Sequence, residues 1–217
     1  MYKKSLKIFV LFLFFGVIFF PDSSFAFKSI TRDQLIYDAI EFSPEGLQRY
    51  LRDNLAVVSA GNHFAERHQT RSYSVDPYDT EIIYKQLVKD LKRNKQDEFN
   101  TAHAFGVIAC FIAETISPDN YRTFSHLIPN DVSYDGHQEI GDVKSHISSL
   151  IANYRIPYRK KMKIENTELL YNVAVNEIVD YWVSAWEGSG YPAGRFAGAG
   201  KKISHRNIEV KSKGAGG

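Results

Sequence analysis

Apolar residues recur along most of this chain at the three- and four-residue steps of a helix, and turn residues separate the runs. Leu35, Ile36, Ala39 and Ile40 mark one apolar face, preceded by Thr31 and Gln34 in the spacing of a capping box. Ser43-Pro44 predicts a second helix, with Ser as N-cap and Pro at the first helical position, carrying Leu47, Tyr50, Leu51, Leu55 and Val58 to a stop at Gly61. Asp79 is placed to cap a third, with Ile82, Ile83, Leu87, Val88 and Leu91 inward. The fourth contains "AHAFGVIACFIAETISPD", residues 102 to 119, and its stripe of Phe99, Ala102, Gly106, Ala109, Ala113 and Ile116 is built mostly from small side chains, so a neighbouring helix is able to approach closely. Ser117-Pro118 ends it. After a loop rich in Pro, Asn, Asp and Gly (117 to 136), Ile140, Val143, Ile147, Leu150 and Ile151 predict a fifth helix. A sixth runs from near Thr167 through Leu170, Val173, Ala174, Ile178, Trp182 and Trp186 to Gly188. No internal repeat and no alternating strand pattern stands out. The fold class is therefore all-α, a multi-helix bundle.

Both ends depart from this pattern. Residues 1 to 26 have the layout of a secretory signal: Lys3, Lys4 and Lys7, an apolar run from Ile8 to Phe20, then a small-residue site at Ser24-Phe25-Ala26. That run is shorter than the about 20 residues of a membrane span, which favours export, periplasmic or secreted, over a retained anchor. Cleavage after Ala26 would leave Phe27 first and no transmembrane helix. At the other end, eight of the 14 glycines fall between 188 and 217 with few large apolar groups, the composition of a disordered tail. Between them, 27 to 187 suits one domain.

Charge is uneven. The tail carries six basic groups and one acid (+5), and the body 27 to 187 carries 18 basic groups against 23 acids (−5). Nothing in the body advertises the basic surface that nucleic acid demands. The tail's charge would suit an anionic lipid or an acidic partner, although a solvated extension is the plainer reading. The single cysteine, Cys110, excludes an internal disulfide and leaves a buried thiol, an intermolecular bridge or a metal ligand, burial being the plainest.

The order of helix, Ser-Pro-started helix, long helix with "AFGVIACFIAET" and a final Trp-containing helix resembles the zinc-dependent phospholipase C and single-strand-specific zinc nuclease superfamily over roughly 27 to 187. The resemblance implies a bundle of that type, a zinc cluster held partly by the amine and carbonyl of an N-terminal aromatic residue, and phospholipid or phosphodiester ligands. Phe27 stands in the aromatic position. The ligand pair four apart on the fourth helix falls on Cys110 and Glu114, a spacing that puts both on one face, with His103 seven residues earlier. Other positions match poorly. The histidine five residues after the N-terminal aromatic falls on Arg32, and a guanidinium cannot bind zinc. The aspartate after the second helix falls on Asn62, the histidine that follows lies between His68 and Tyr73, and a later histidine falls on Asn120. His146 has only Leu150 four residues on, where that family carries an acid.

Two functional readings follow. In the first, the metal site is degraded, no cofactor is held, Arg32 supplies the positive charge where a cation once sat, and the protein binds a partner or serves a structural role. In the second, Phe27, His68, His103, Cys110 and Glu114 hold zinc in a smaller, remodelled site and the protein hydrolyses phosphoric esters. An unrelated helical envelope protein is a third. Other chemistries lack their marks: there is no glycine-rich phosphate loop and no nucleophile elbow. His63 and His68 with Glu66 are spaced about 500° apart on a helix and align poorly. His126 and His137 fall in or beside the loop and His205 in the tail, and Trp182 with Trp186 fits core packing better than base stacking.

Overall fold

The structure, a computed structural model, describes residues 29–63, 77–93, 98–116, 128–154, 164–192, 194–195 and 200–205. Among the described residues there are seven helices: α1 (Ser29–Phe42), α2 (Glu45–Asp53), α3 (Leu55–Asn62), α4 (Pro77–Lys92), α5 (Glu98–Ile116), α6 (Val143–Tyr154) and α7 (Ile164–Gly188). A two-stranded antiparallel ribbon joins β1 (Asp131–Ser133) to β2 (Lys202–Ser204). The all-helical reading holds, with this ribbon as its one addition. The signal-like segment, Phe27, His68, His126 and Asn120 lie outside the described residues.

α5 is the central helix, packed against α1, α3, α4, α6 and α7. Its residues Phe99–Ile116 are long and apolar enough, by length and composition, to cross a membrane, yet 72% of that window is buried inside the bundle. The small-residue stripe lets α3 close on it. A Cβ on Gly106 would lie 2.7 Å from Asn62 N and well inside contact with the Val58 carbonyl, and one on Gly61 would overlap the His103 carbonyl. Gly61 thus serves close approach rather than the helix stop expected of it; α3 ends one residue later. Phe99, expected inward with the stripe, is 60% exposed, and Ile82 on α4 also faces out.

Several start signals act differently from their sequence pattern. Thr31 lies inside α1, and Gln34 donates to Asp38 Oδ1 (2.9 Å) rather than closing a capping box. Ser43 Oγ donates back to the Ala39 carbonyl at 2.8 Å, finishing α1, and Pro44 occupies the N-cap of α2. The helix expected from Ser43 to Gly61 breaks at Asn54, whose side-chain amide bonds the Tyr50 carbonyl (3.1 Å), an alternative to continuing the ladder. Asp142 is a cap that the sequence pattern did not single out: its carboxylate accepts from Lys144 N (3.1 Å), Ser145 N (3.3 Å) and Ser145 Oγ (2.9 Å), and these bonds, led by the Ser145 hydroxyl, hold its pKa below the ordinary value. Trp182 is fully buried, donating to the Phe105 carbonyl at 2.9 Å and meeting the Phe105 ring edge-on, as core packing requires.

Residues 200–205 correct the expectation of a wholly disordered tail. β2 pairs Asp131 with Ser204, Val132 with Ile203 and Ser133 with Lys202, and His205 is buried. Three residues are too few for an alternating pattern to register, and the segment's stability comes from its partners rather than from apolar content.

Candidate functional site

Three polar clusters interrupt the apolar interior. The first lies where α1, α3 and α5 meet. Arg32 is fully buried on α1; its Nη1 donates to the Asn62 carbonyl (3.1 Å) and to Cys110 Sγ (3.2 Å), and its Nη2 forms an ion pair with Glu114. Asn62 answers by donating Nδ2 to the Arg32 carbonyl at 2.8 Å. The four-residue step between Cys110 and Glu114 puts thiol and carboxylate on one face of α5, and Gly61–Gly106 contact brings Asn62 within reach of Arg32. One residue on, Asp33 accepts from Ser59 Oγ (2.6 Å) and meets His63 Nε2 (2.9 Å), tying α1 to α3 nearer the surface. His63 is thereby tied to Asp33; His68 and Glu66, grouped with it in the sequence, lie outside the described residues.

The resemblance directs zinc to this point, and the described donors do not suit it. Both first-choice ligands, Cys110 Sγ and Glu114, face a guanidinium that has no lone pair to offer and whose charge repels a dication. His103 does not join them: it stacks on exposed Phe99 (6.2 Å, 14°), and seven residues of helix separate it by about 10 Å along the axis from Cys110. Among the described residues no group of three or more His, Cys, Asp or Glu is placed to hold a metal ion.

The second cluster is a ladder. Asn172, Asn176, Asp180 and Ser184 stand four apart on α7 and receive the extended backbone 133 to 140. Ser133 N bonds Asn172 Oδ1 (2.9 Å), Asn176 Nδ2 bonds the Ser133 carbonyl (2.9 Å), and Asp135 N bonds Asn176 Oδ1 (2.8 Å). Gln138 N reaches Asp180 Oδ1 (2.9 Å) and Ile140 N reaches Ser184 Oγ (3.1 Å). The spacing Asn-x3-Asn-x3-Asp-x3-Ser is visible in the chain as a polar stripe on the last helix, and reading only that helix's apolar face missed it.

Two histidines fasten to the same helix. His137 Nδ1 lies 3.1 Å from Asp180 Oδ1 and its Nε2 lies 3.6 Å from Glu187, an ion-pair approach longer than a hydrogen bond, so a residue that the sequence places in or beside the loop is anchored to α7. His146 meets Glu177 at 2.7 Å; the acid absent four residues along its own helix comes from α7. The hydrogen bond to Asp180 raises the His137 pKa, and that to Glu177 raises His146, against burial in both cases. Burial pushes Asp180 upward, opposed by its bonds from His137 and Gln138. Nearby phenols stay neutral: burial, with Glu139, pushes Tyr84 up to about 12, and burial raises Tyr181 further.

The third cluster joins α1, α7 and the C-terminal strand. Asp38 is buried; it accepts from Tyr171 Oη at Oδ2 (2.7 Å) and from Gln34 at Oδ1, and His205 Nε2 lies 2.9 Å from the same Oδ1. His205 Nδ1 lies 2.7 Å from the Pro129 carbonyl. Burial, then Asp38, holds the Tyr171 hydroxyl well above its usual range.

The first cluster gathers four positions that the resemblance picks out, Arg32, Asn62, Cys110 and Glu114, while His146 lies apart on Glu177. Comparison with protein-family models, curated proteins and solved structures finds no match to this chain.

Proposed function

We propose that this protein is an exported helical domain of the zinc-dependent phospholipase C and nuclease kind in which a covalently held cation has replaced the metal, and that it acts by binding or as a structural element. The observation that carries this reading is the buried Arg32 guanidinium bonded to Asn62, Cys110 and Glu114. An uncompensated Glu114 at the bundle interior would be strongly unfavourable, and the guanidinium supplies the opposite charge without an ion. The engagement of Cys110 and Glu114 by the guanidinium supports this reading, since those two donors would otherwise be the ones to hold a metal and its hydroxide.

The test is elemental analysis of the purified protein together with hydrolysis of a chromogenic phosphodiester with and without chelator. Less than about one-tenth equivalent of zinc and no chelator-sensitive rate are expected. Near-stoichiometric zinc with a chelator-sensitive rate would reject the proposal in favour of a remodelled site using Phe27, His68, His103, Cys110 and Glu114.

A further inference from the structure

The C-terminal strand is held in the manner of a bound peptide. Its backbone pairs with 130 to 134 over six residues: Gly200 N to the Tyr134 carbonyl (2.7 Å), Tyr134 N to the Lys201 carbonyl (3.0 Å), the three paired residues of the ribbon, and His205 N to the Asn130 carbonyl (2.7 Å). Side chains at alternate positions are received individually. Lys201 Nζ donates to the Glu41 carbonyl (3.0 Å) and sits 5.9 Å over the Phe42 ring. Ile203 packs on the core, and His205 fits between Asp38 and the Pro129 carbonyl. Lys202 and Ser204 face solvent. Backbone pairing supplies affinity in such strand addition, and alternate pockets supply selectivity.

Three observations bear on where the strand comes from. The backbone bonds and the contacts of Lys201 and His205 are to α1 or to 129–134. The stretch between Gly188 and Gly200 carries glycine at 188, 190, 194, 198 and 200, with positive φ at Gly190, Gly194 and Gly200, and its first residues are held by the bundle, Ser189 Oγ donating to the Val88 carbonyl (3.2 Å) and Tyr191 stacking on Trp186 (4.1 Å). The body's −5 against the tail's +5 draws the tail of one copy to the body of another as well as to its own. The opposite edge of β1 is taken by Asn172 and Asn176, leaving the β2 side as the strand-accepting edge.

We propose that the β1 edge with Gln34, Asp38 and the Pro129 carbonyl is an acceptor site for an extended Lys-x-aliphatic-x-His segment, filled in cis by residues 200–205 and open to the same segment of a second copy. Attachment to the same chain gives the cis segment an effective concentration on the order of millimolar, so exchange between copies grows as the protein approaches about 1 mM.

The experiment uses the full chain with Asp131→Cys and Ser204→Cys. These exposed partners adjoin the bonded pair Asn130/His205 and are therefore of the close, non-bonded kind, about 4.5 Å between Cα atoms and within disulfide reach. The doubly substituted chain closes on itself under mild oxidation. A mixture of the two singly substituted chains gives a cross-linked heterodimer whose yield rises with concentration. Failure of the double variant to close overturns the acceptor site. Closure without heterodimer above the level of each single variant alone, or a heterodimer yield that does not rise with concentration, overturns exchange. Neither result bears on metal content, so the proposed function stands or falls separately.

Discussion

The Arg32 cluster and the α7 ladder bury polar groups by opposite means. Arg32 concentrates a full charge at one point and meets it with a carboxylate, a thiol and a carbonyl. The ladder spreads mostly neutral bonds over four side chains and eight residues of backbone. Loss of one partner strands a charge in the first and a single amide or carbonyl in the second, so the two should differ in how sharply they fail.

The largest effect is expected at the charge. Arg32→Ala leaves Glu114 and the Asn62 carbonyl without their donor and should cost about 3–5 kcal/mol in denaturant unfolding, whereas Arg32→Met with Glu114→Leu should recover most of that loss. Unchanged stability in Arg32→Ala would mean that the guanidinium carries no structural duty. Next, Gly106→Ala forces α3 away from α5 against rigid backbone and should cost about 3 kcal/mol. If the Arg32 cluster depends on that spacing, this substitution and Arg32→Ala will be non-additive in a double-mutant cycle.

The ladder should give way in smaller steps. Asn176→Ala removes bonds to both Ser133 and Asp135 and should cost about 2 kcal/mol, and Asn172→Ala, with one such bond, about 1 kcal/mol. A cost for Asn172→Ala as large as that for Arg32→Ala would erase the distinction drawn between the regions. The smallest effect is set by pH. His146 and His137 have folded pKa values raised above 6.5, so their contribution is fully present below that value and is lost as pH rises through the folded values. Thermal stability should therefore decline from about pH 6 to pH 8, and His146→Gln should flatten the decline by no more than about 1 kcal/mol. A slope unchanged in both His146→Gln and His137→Gln would detach these pairs from the pH response.

Helical period made the interior legible: Leu35, Ile36, Ala39 and Ile40 are buried as one face, and the small residues of α5 do admit a close neighbour. Contacts remote in sequence were not legible. Ser43 closes the preceding helix because its hydroxyl finds the Ala39 carbonyl, and nothing in Ser-Pro distinguishes that from opening the next. Period alone also extends a helix across Asn54, whose amide competes for the Tyr50 carbonyl. At the candidate site the sequence yielded the positions Arg32, Asn62, Cys110 and Glu114, but not that the guanidinium bonds all three partners. The partners of His137, His146 and His205 were not legible because Asp180, Glu177 and Asp38 lie from 31 to 167 residues away.

Where α3 crosses α5, main chain lies against main chain. A core of interlocking side chains drifts by exchanging one shape for another, and a seam of bare peptide has no such currency. Gly61 and Gly106 should tolerate almost no replacement in a library screen, and amides beside them should be among the last to exchange with deuterated solvent.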